Sequence, residues 1–177
     1  MTGKGHRASA FMILMATTGS VLASTLAALG STFPDTVERF FGFVGSFFGG
    51  KGRNRHHRRT SHWFVLYGAA FGLCFFVWGE AILPRLRGFP RTFAERPWAV
   101  VFSCAAFWFL GGLLHVLCDA CCGKVPLLIP WRRTFGWKFF RMSGARGEMS
   151  RGEAIFTGFI ALSCLCAWIL RYAQDKI

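Results

Sequence analysis

Apolar residues in this chain fall into long blocks, and polar residues into the shorter stretches between them. Residues 8–33 read ASAFMILMATTGSVLASTLAALGSTF, with Gly19 and Ser20 near the middle. Residues 63–83 read WFVLYGAAFGLCFFVWGEAIL, interrupted only by Glu80. Residues 98–118 carry His115 close to their end, and residues 154–170 carry no charge at all. An α-helix needs roughly 20 apolar residues to cross the hydrocarbon core of a bilayer, and the last three blocks approach that length. Trp63, Trp98 and Trp131 stand near block ends, where an indole ring favours the membrane interface. The pattern predicts an all-α, polytopic membrane protein. It forms one membrane-embedded helical domain over 1–177, with full spans at 63–83, 98–118 and 154–171. The first block, 8–33, is either an additional span or a re-entrant hairpin folded at Gly19-Ser20.

The connecting stretches differ in kind. VERFFGFVGSFFGG, after the first block, is rich in Phe but broken by Gly. It is too short to span and predicts a helix lying in the interface. KGRNRHHRRTSH is strongly basic and leads into the second block. Residues 84–97 form a short loop with Pro84, Pro90 and Pro97, and residues 119–153 form the longest polar region.

Composition agrees with the pattern, since 53% of the residues are hydrophobic, more than a soluble domain of this size carries. The net charge of +13 suggests nucleic acid as a partner, but the 21 Lys and Arg lie between the apolar blocks. Anionic headgroups and the positive-inside bias account for that placement, so membrane lipid is the expected partner and nucleic acid a minor alternative. With a single crossing at 8–33, the face holding loops 31–61 and 119–153 has 13 Lys and Arg against 8. With a hairpin, Lys4 and Arg7 join that face and the split becomes 15 against 6. Both place the long loops in the cytoplasm, and the hairpin does so more cleanly.

No disulfide framework is expected. Cys74, Cys104, Cys164 and Cys166 lie inside apolar blocks, where Cys acts as a small hydrophobe. Cys118-x-x-Cys121 has metal-ligand spacing, but no second pair accompanies it. STLAALGSTFPD makes a poor signal-peptide cleavage site.

Ionisable residues near the block ends carry the functional argument. His115 and Asp119 are spaced i, i+4, which on a helix stacks both side chains on one face, able to share a cation. The ordinary reading of such a His is an interfacial residue with a satisfied hydrogen bond, yet ionisable groups at span ends are costly and usually functional. His57 and His62 enter the second block from the same face. A lipid-binding basic segment is the simpler reading for Arg53, Arg55 and His56. Asp35 follows Pro34, where a turn or helix cap is the commonplace use of Asp. Imidazole and carboxylate ligands together suit zinc first, or manganese or iron with more oxygens.

These motifs resemble those of the YdjM-like family of membrane-bound, metal-dependent hydrolases. The resemblance rests on Gly5-His6, Pro34-Asp35, HRRTSHW at 57–63 and LLHVLCDACCGKVPLLIPW at 113–131, in that order. GKVPLLIPW is its most specific part, because membrane composition does not explain it. The resemblance implies His6, Asp35, His57, His62, His115 and Asp119 as metal or site residues, with Glu153, rather than Glu148, as a trailing acid ligand. It implies Arg58 as a phosphate-holding group and Asp35 or a metal-bound carboxylate as base. It also implies a bacterial inner-membrane location. The sequence departs from the family pattern at Val37, where a second Asp is usual and Glu38 comes one place late; Ser61 and Trp63 likewise replace the usual neighbours of His62.

More remotely, the family is similar to zinc-dependent phospholipases C and single-strand nucleases. The expected function is a membrane-bound, metal-dependent hydrolase acting on a phosphoester, with its site at the cytoplasmic face and a divalent metal, zinc first, as cofactor. The rival is a non-catalytic membrane subunit or scaffold that keeps a structural metal. A third reading, an ion path through Glu80, ranks below both, since Glu80 can snorkel or pair with Arg85.

Overall fold

A computed structural model describes residues 1–47, 60–82, 97–130, 132–139 and 149–174. Among the described residues there are six α-helices: α1 (Gly3–Thr18), α2 (Val21–Gly30), α3 (Phe33–Phe47), α4 (Phe64–Ile82), α5 (Pro97–Cys122) and α6 (Arg151–Gln174). A short 3₁₀ turn, Thr60–His62, precedes α4. The fold is all-α in its framework. Among the described residues α5 and α6 are long and apolar enough to cross a membrane, and α4 offers a shorter apolar run, Phe64–Trp78.

The first apolar block is not one helix. Gly19 takes φ 67°, a left-handed conformation that closes α1, and its N–H donates to the Met15 carbonyl at 2.9 Å. Glycine reaches this conformation without the Cβ clash that other residues meet. Ser20 then starts α2, its Oγ accepting the Ala23 N–H at 3.2 Å as an N-cap. The chain turns back, so Ala10 and Leu14 of α1 pack with Ala27 of α2, against Phe107, Leu110 and Leu114 of α5.

Small residues let α2 and α5 touch backbone to backbone. Gly30 lies on the Trp108 carbonyl and Gly111 on the Ala27 carbonyl, so closely that a Cβ at either would overlap the oxygen. Such contacts are a usual means of helix association where lipid removes the hydrophobic drive. On its other side α5 packs on α4. A Cβ at Gly112 would stand 2.5 Å from the Tyr67 ring, and Tyr67, Val116, Ala120 and Val125 make a buried cluster.

After α5 comes a feature the helical pattern did not anticipate. Val125–Pro126 (β1) and Arg133–Phe135 (β2) pair antiparallel, with Val125 opposite Phe135 and Pro126 opposite Arg133. Pro126 and Pro130 deny this segment a helix, and the ladder is too short to alter the fold class. α6 runs beside α1 in the same direction: Glu153 at its start meets Thr2, and the Arg171 guanidinium at its end donates to the Thr17 carbonyl at 2.9 Å. Most of its apolar side chains, Ile155, Phe159, Leu162 and Leu165 among them, are exposed.

Candidate metal centre

Five elements end at one place. α1 starts there with His6, α2 ends there with Ser31, α3 starts there with Asp35, the 3₁₀ turn supplies His62, and the last turns of α5 supply His115 and Asp119. His6, His62, His115 and Asp119 are each no more than 2% exposed. Among the described residues two ligand groups arise, His6/His115/Asp119 and Asp35/His62/His115, each with its ligand atoms within 4.8 Å of one another.

His115 is common to both, and its orientation is fixed. Its Nδ1 lies 2.5 Å from the Ser31 carbonyl, which makes Nδ1 the N–H donor and turns the Nε2 lone pair inward. That Nε2 is 3.1 Å from Nε2 of His62, 3.7 Å from Oδ1 of Asp35 and 3.8 Å from Oδ2 of Asp119. Beside it, Nδ1 of His62 is 3.0 Å from the Ser61 hydroxyl, and its Nε2 is 3.5 Å from both Asp35 Oδ1 and Asp119 Oδ2. Ligands about 2.0–2.2 Å from a tetrahedral ion stand roughly 3.3–3.6 Å apart. The two imidazole nitrogens with either carboxylate oxygen make a triangle with sides from 3.1 to 3.8 Å, close to that spacing. Asp119 links the two groups, with Oδ1 3.2 Å from Nε2 of His6 in its own and Oδ2 toward Nε2 of His62 in the other.

The donor set fits a divalent cation. The His6 ring stacks on that of His115 at 3.6 Å, and both its nitrogens are buried without a hydrogen-bond partner. Asp35 is the most open of the donors, its side chain 32% exposed, at the first turn of α3 behind Pro34. Burial pushes its carboxyl up, but the hydrogen bond from His62 and the fields of His115, His62 and His6 outweigh burial and hold it at about 2.

Not every residue expected from the sequence meets this cluster. Glu153 is fully buried but belongs to neither ligand group. Its Oε1 accepts the Thr2 N–H and hydroxyl, each at 2.6 Å, at the positive end of α1, while its Oε2 is buried without a hydrogen-bond partner. Cys118 and Cys122 pack with Met1 and Phe156, with Cys122 Sγ also accepting from the Met1 amine at 3.5 Å, and Cys121 joins no ligand group. His57, Arg58 and Glu148 lie outside the described residues. Glu80 falls in the last turn of α4.

Three participants were not legible beforehand. The Ser31 carbonyl is main chain, so no side-chain motif announces it. Glu38, one place later than the family motif asks, still brings Oε2 to 3.8 Å from Nδ1 of His62, because i and i+3 share a helix face. The Met1 amine donates to Asp119 Oδ1 at 2.6 Å.

The sequence model of the YdjM inner membrane protein family matches residues 1–174. Neither a curated protein nor a solved structure matches the chain.

Proposed function

The chain belongs to the YdjM inner membrane protein family, and we propose that it is a multi-pass, metal-dependent hydrolase whose His/Asp centre faces the cytoplasm. The observation that carries this reading is the convergence of two ligand groups on the inward Nε2 of His115. His6, His62, His115 and Asp119 would hold the metal, with Asp35 at the open edge. A structural zinc site is closed by protein on all sides, whereas a catalytic one keeps a position open for water. The part-exposed Asp35 favours the catalytic reading over a scaffold.

A divalent ion held there would supply a water of lowered pKa and neutralise phosphate charge. The chain's own work is to fix the imidazoles through Ser31 and Ser61, and to set an ionised Asp35 where it can take a proton. In phosphoester hydrolysis the water oxygen bonds to phosphorus as the bond to the leaving alkoxide breaks. The proton taken by the carboxylate is returned to that alkoxide. Zinc is the metal proposed first, since imidazole and carboxylate suit it.

The cytoplasmic orientation is supported by charge. Among the described residues Lys4, Arg7, Arg39, Lys124, Arg132, Lys138 and Arg151 are exposed in segments at the centre's end of the helices, the bias that marks the inner side. Elemental analysis of protein purified in detergent tests the reading. A divalent metal near one or more equivalents is expected in the native chain. Metal-free protein that takes up none on titration overturns it.

A further inference from the structure

The segment after α5 fixes the level of the centre relative to the bilayer. The Trp137 N–H donates to the Ala120 carbonyl at 2.6 Å and the Phe139 N–H to the Cys121 carbonyl at 3.0 Å, which satisfies carbonyls that the helix end leaves free. These bonds hold Trp137 and Phe139 at the height of the last turn of α5. Both are more than half exposed and their rings stack at 6.0 Å. Leu128, 71% exposed, is tied to the start of α4 by the Trp63 indole, which donates to its carbonyl at 3.0 Å. Exposed Lys124, Arg132 and Lys138 alternate with these apolar groups. Exposed indole and phenyl rings beside cations at a span end are the composition of a headgroup belt on an anionic leaflet.

The centre lies on the membrane side of that belt. His115 precedes Ala120 by five residues, which at 1.5 Å per residue is roughly 8 Å along the helix. Each interfacial layer of a bilayer is about 5–8 Å thick. Asp119 precedes Ala120 by one residue, so the centre reaches from the belt itself to about one interfacial layer inside it, next to the lipid headgroups. Its most open donor, Asp35, lies on α3, and farther along that helix Phe40, Phe41 and Phe43 are all over 60% exposed. Among the described residues, the surface beyond the most open donor is apolar.

We propose that the ligand of this centre is the phosphate of a membrane lipid, entering sideways from the bilayer past α3. The inference rests on the metal-dependent reading above and narrows its substrate class. It is tested with Mn²⁺ in the centre, because the spin of the ion reports phosphorus bound next to it. Full-length protein is loaded with Mn²⁺, freed of excess ion, and placed either in phosphatidylglycerol nanodiscs or in phosphorus-free maltoside detergent. Pulsed electron–nuclear double resonance is then recorded, with His115→Ala as the control for stray ion. A ³¹P coupling in nanodiscs that is missing in detergent and in the control is expected. Inorganic phosphate added to the detergent sample gives at most a weaker coupling. The lipid assignment is overturned if Mn²⁺ is bound but ³¹P coupling is absent in nanodiscs. It is equally overturned if coupling arises only with inorganic phosphate. A chain that binds no Mn²⁺, zinc or other divalent ion removes the hydrolase reading and this inference together.

Discussion

Nδ1 of His115 and the carbonyl oxygen of Ser31 face each other at 2.5 Å across 84 residues of sequence. The contact joins the end of the N-terminal hairpin to the helix that carries the centre. It also decides which nitrogen of His115 is free to bind metal. A hydrogen-bonded partner of this kind is worth about 10–100-fold in metal affinity.

That bond depends on how closely α2 approaches α5, which Gly30 and Gly111 permit. Gly111→Leu is expected to push Ala27 away and take Ser31 with it. Zinc affinity falls about 10–100-fold, read by competition with a chelating dye, while circular dichroism still reports a helical protein. Affinity unchanged from the native chain would mean that Ser31 does not orient His115.

His115 belongs to both ligand groups, so His115→Ala is expected to abolish stoichiometric metal. Asp119→Ala should do the same, because its two oxygens face different imidazoles. Asp35→Asn leaves metal bound but weaker, and removes activity on a phosphoester. Metal content by mass spectrometry separates the three. Loss of metal in Asp35→Asn as complete as in His115→Ala would contradict the edge position given to Asp35.

Glu153 discriminates between a ligand and a support. As an acceptor for Thr2 it can be replaced by Gln, whose carbonyl oxygen still accepts, so Glu153→Gln is expected to keep its metal. Glu153→Ala loses bonds to a charged acceptor and is expected to cost about 1.5–3 kcal/mol of stability, seen as a lower melting temperature in detergent. A Gln variant that retains its melting temperature yet sheds its metal would restore Glu153 to the coordination sphere.

The pH dependence follows from Asp35. Its carboxyl is held at about 2, below the ordinary 3.8. The contribution of the ionised form is therefore complete above the ordinary value and lost only as pH falls from about 4 towards 2. In the metal-free protein the stability that ionised Asp35 contributes is therefore expected to hold from pH 8 down to about 4 and to be lost below it, read as the melting temperature in detergent. Asp35→Asn is expected to lack that fall. An acid-side fall in Asp35→Asn equal to that of the native chain would contradict the ionised, hydrogen-bonded position given to Asp35.

Much of this arrangement can be read from residue types and spacing. Gly19-Ser20 in the middle of an apolar block marks the turn, since one residue supplies the left-handed conformation and the other the next helix cap. His115 and Asp119 are visible as an i, i+4 pair. Asp35 and His62 are placed on the same membrane face as His115 by the order of blocks and loops, but nothing local says that α3 and the 3₁₀ turn meet α5. Ser31 is hidden because its carbonyl acts, and every residue has one. Glu153 is visible as an acid of the family motif, but its use by Thr2 is not, because the contact joins residues 151 positions apart in sequence. The strand pair at Val125 and Phe135 is two to three residues long, below what a period-two pattern can reveal.

The turn at Gly19 also orders events during synthesis. Chains emerge N-terminus first, and α1 and α2 are neighbours in sequence, so their pairing through Ala10, Leu14 and Ala27 is available as soon as both have left the ribosome. His6 and Ser31 are then already at one end of the hairpin. Their partners Asp119 and His115 are translated much later, the latter 84 residues after Ser31. A nascent chain arrested before His115 holds the hairpin, Asp35 and His62 with neither ligand group complete, and metal capture waits for the insertion of α5.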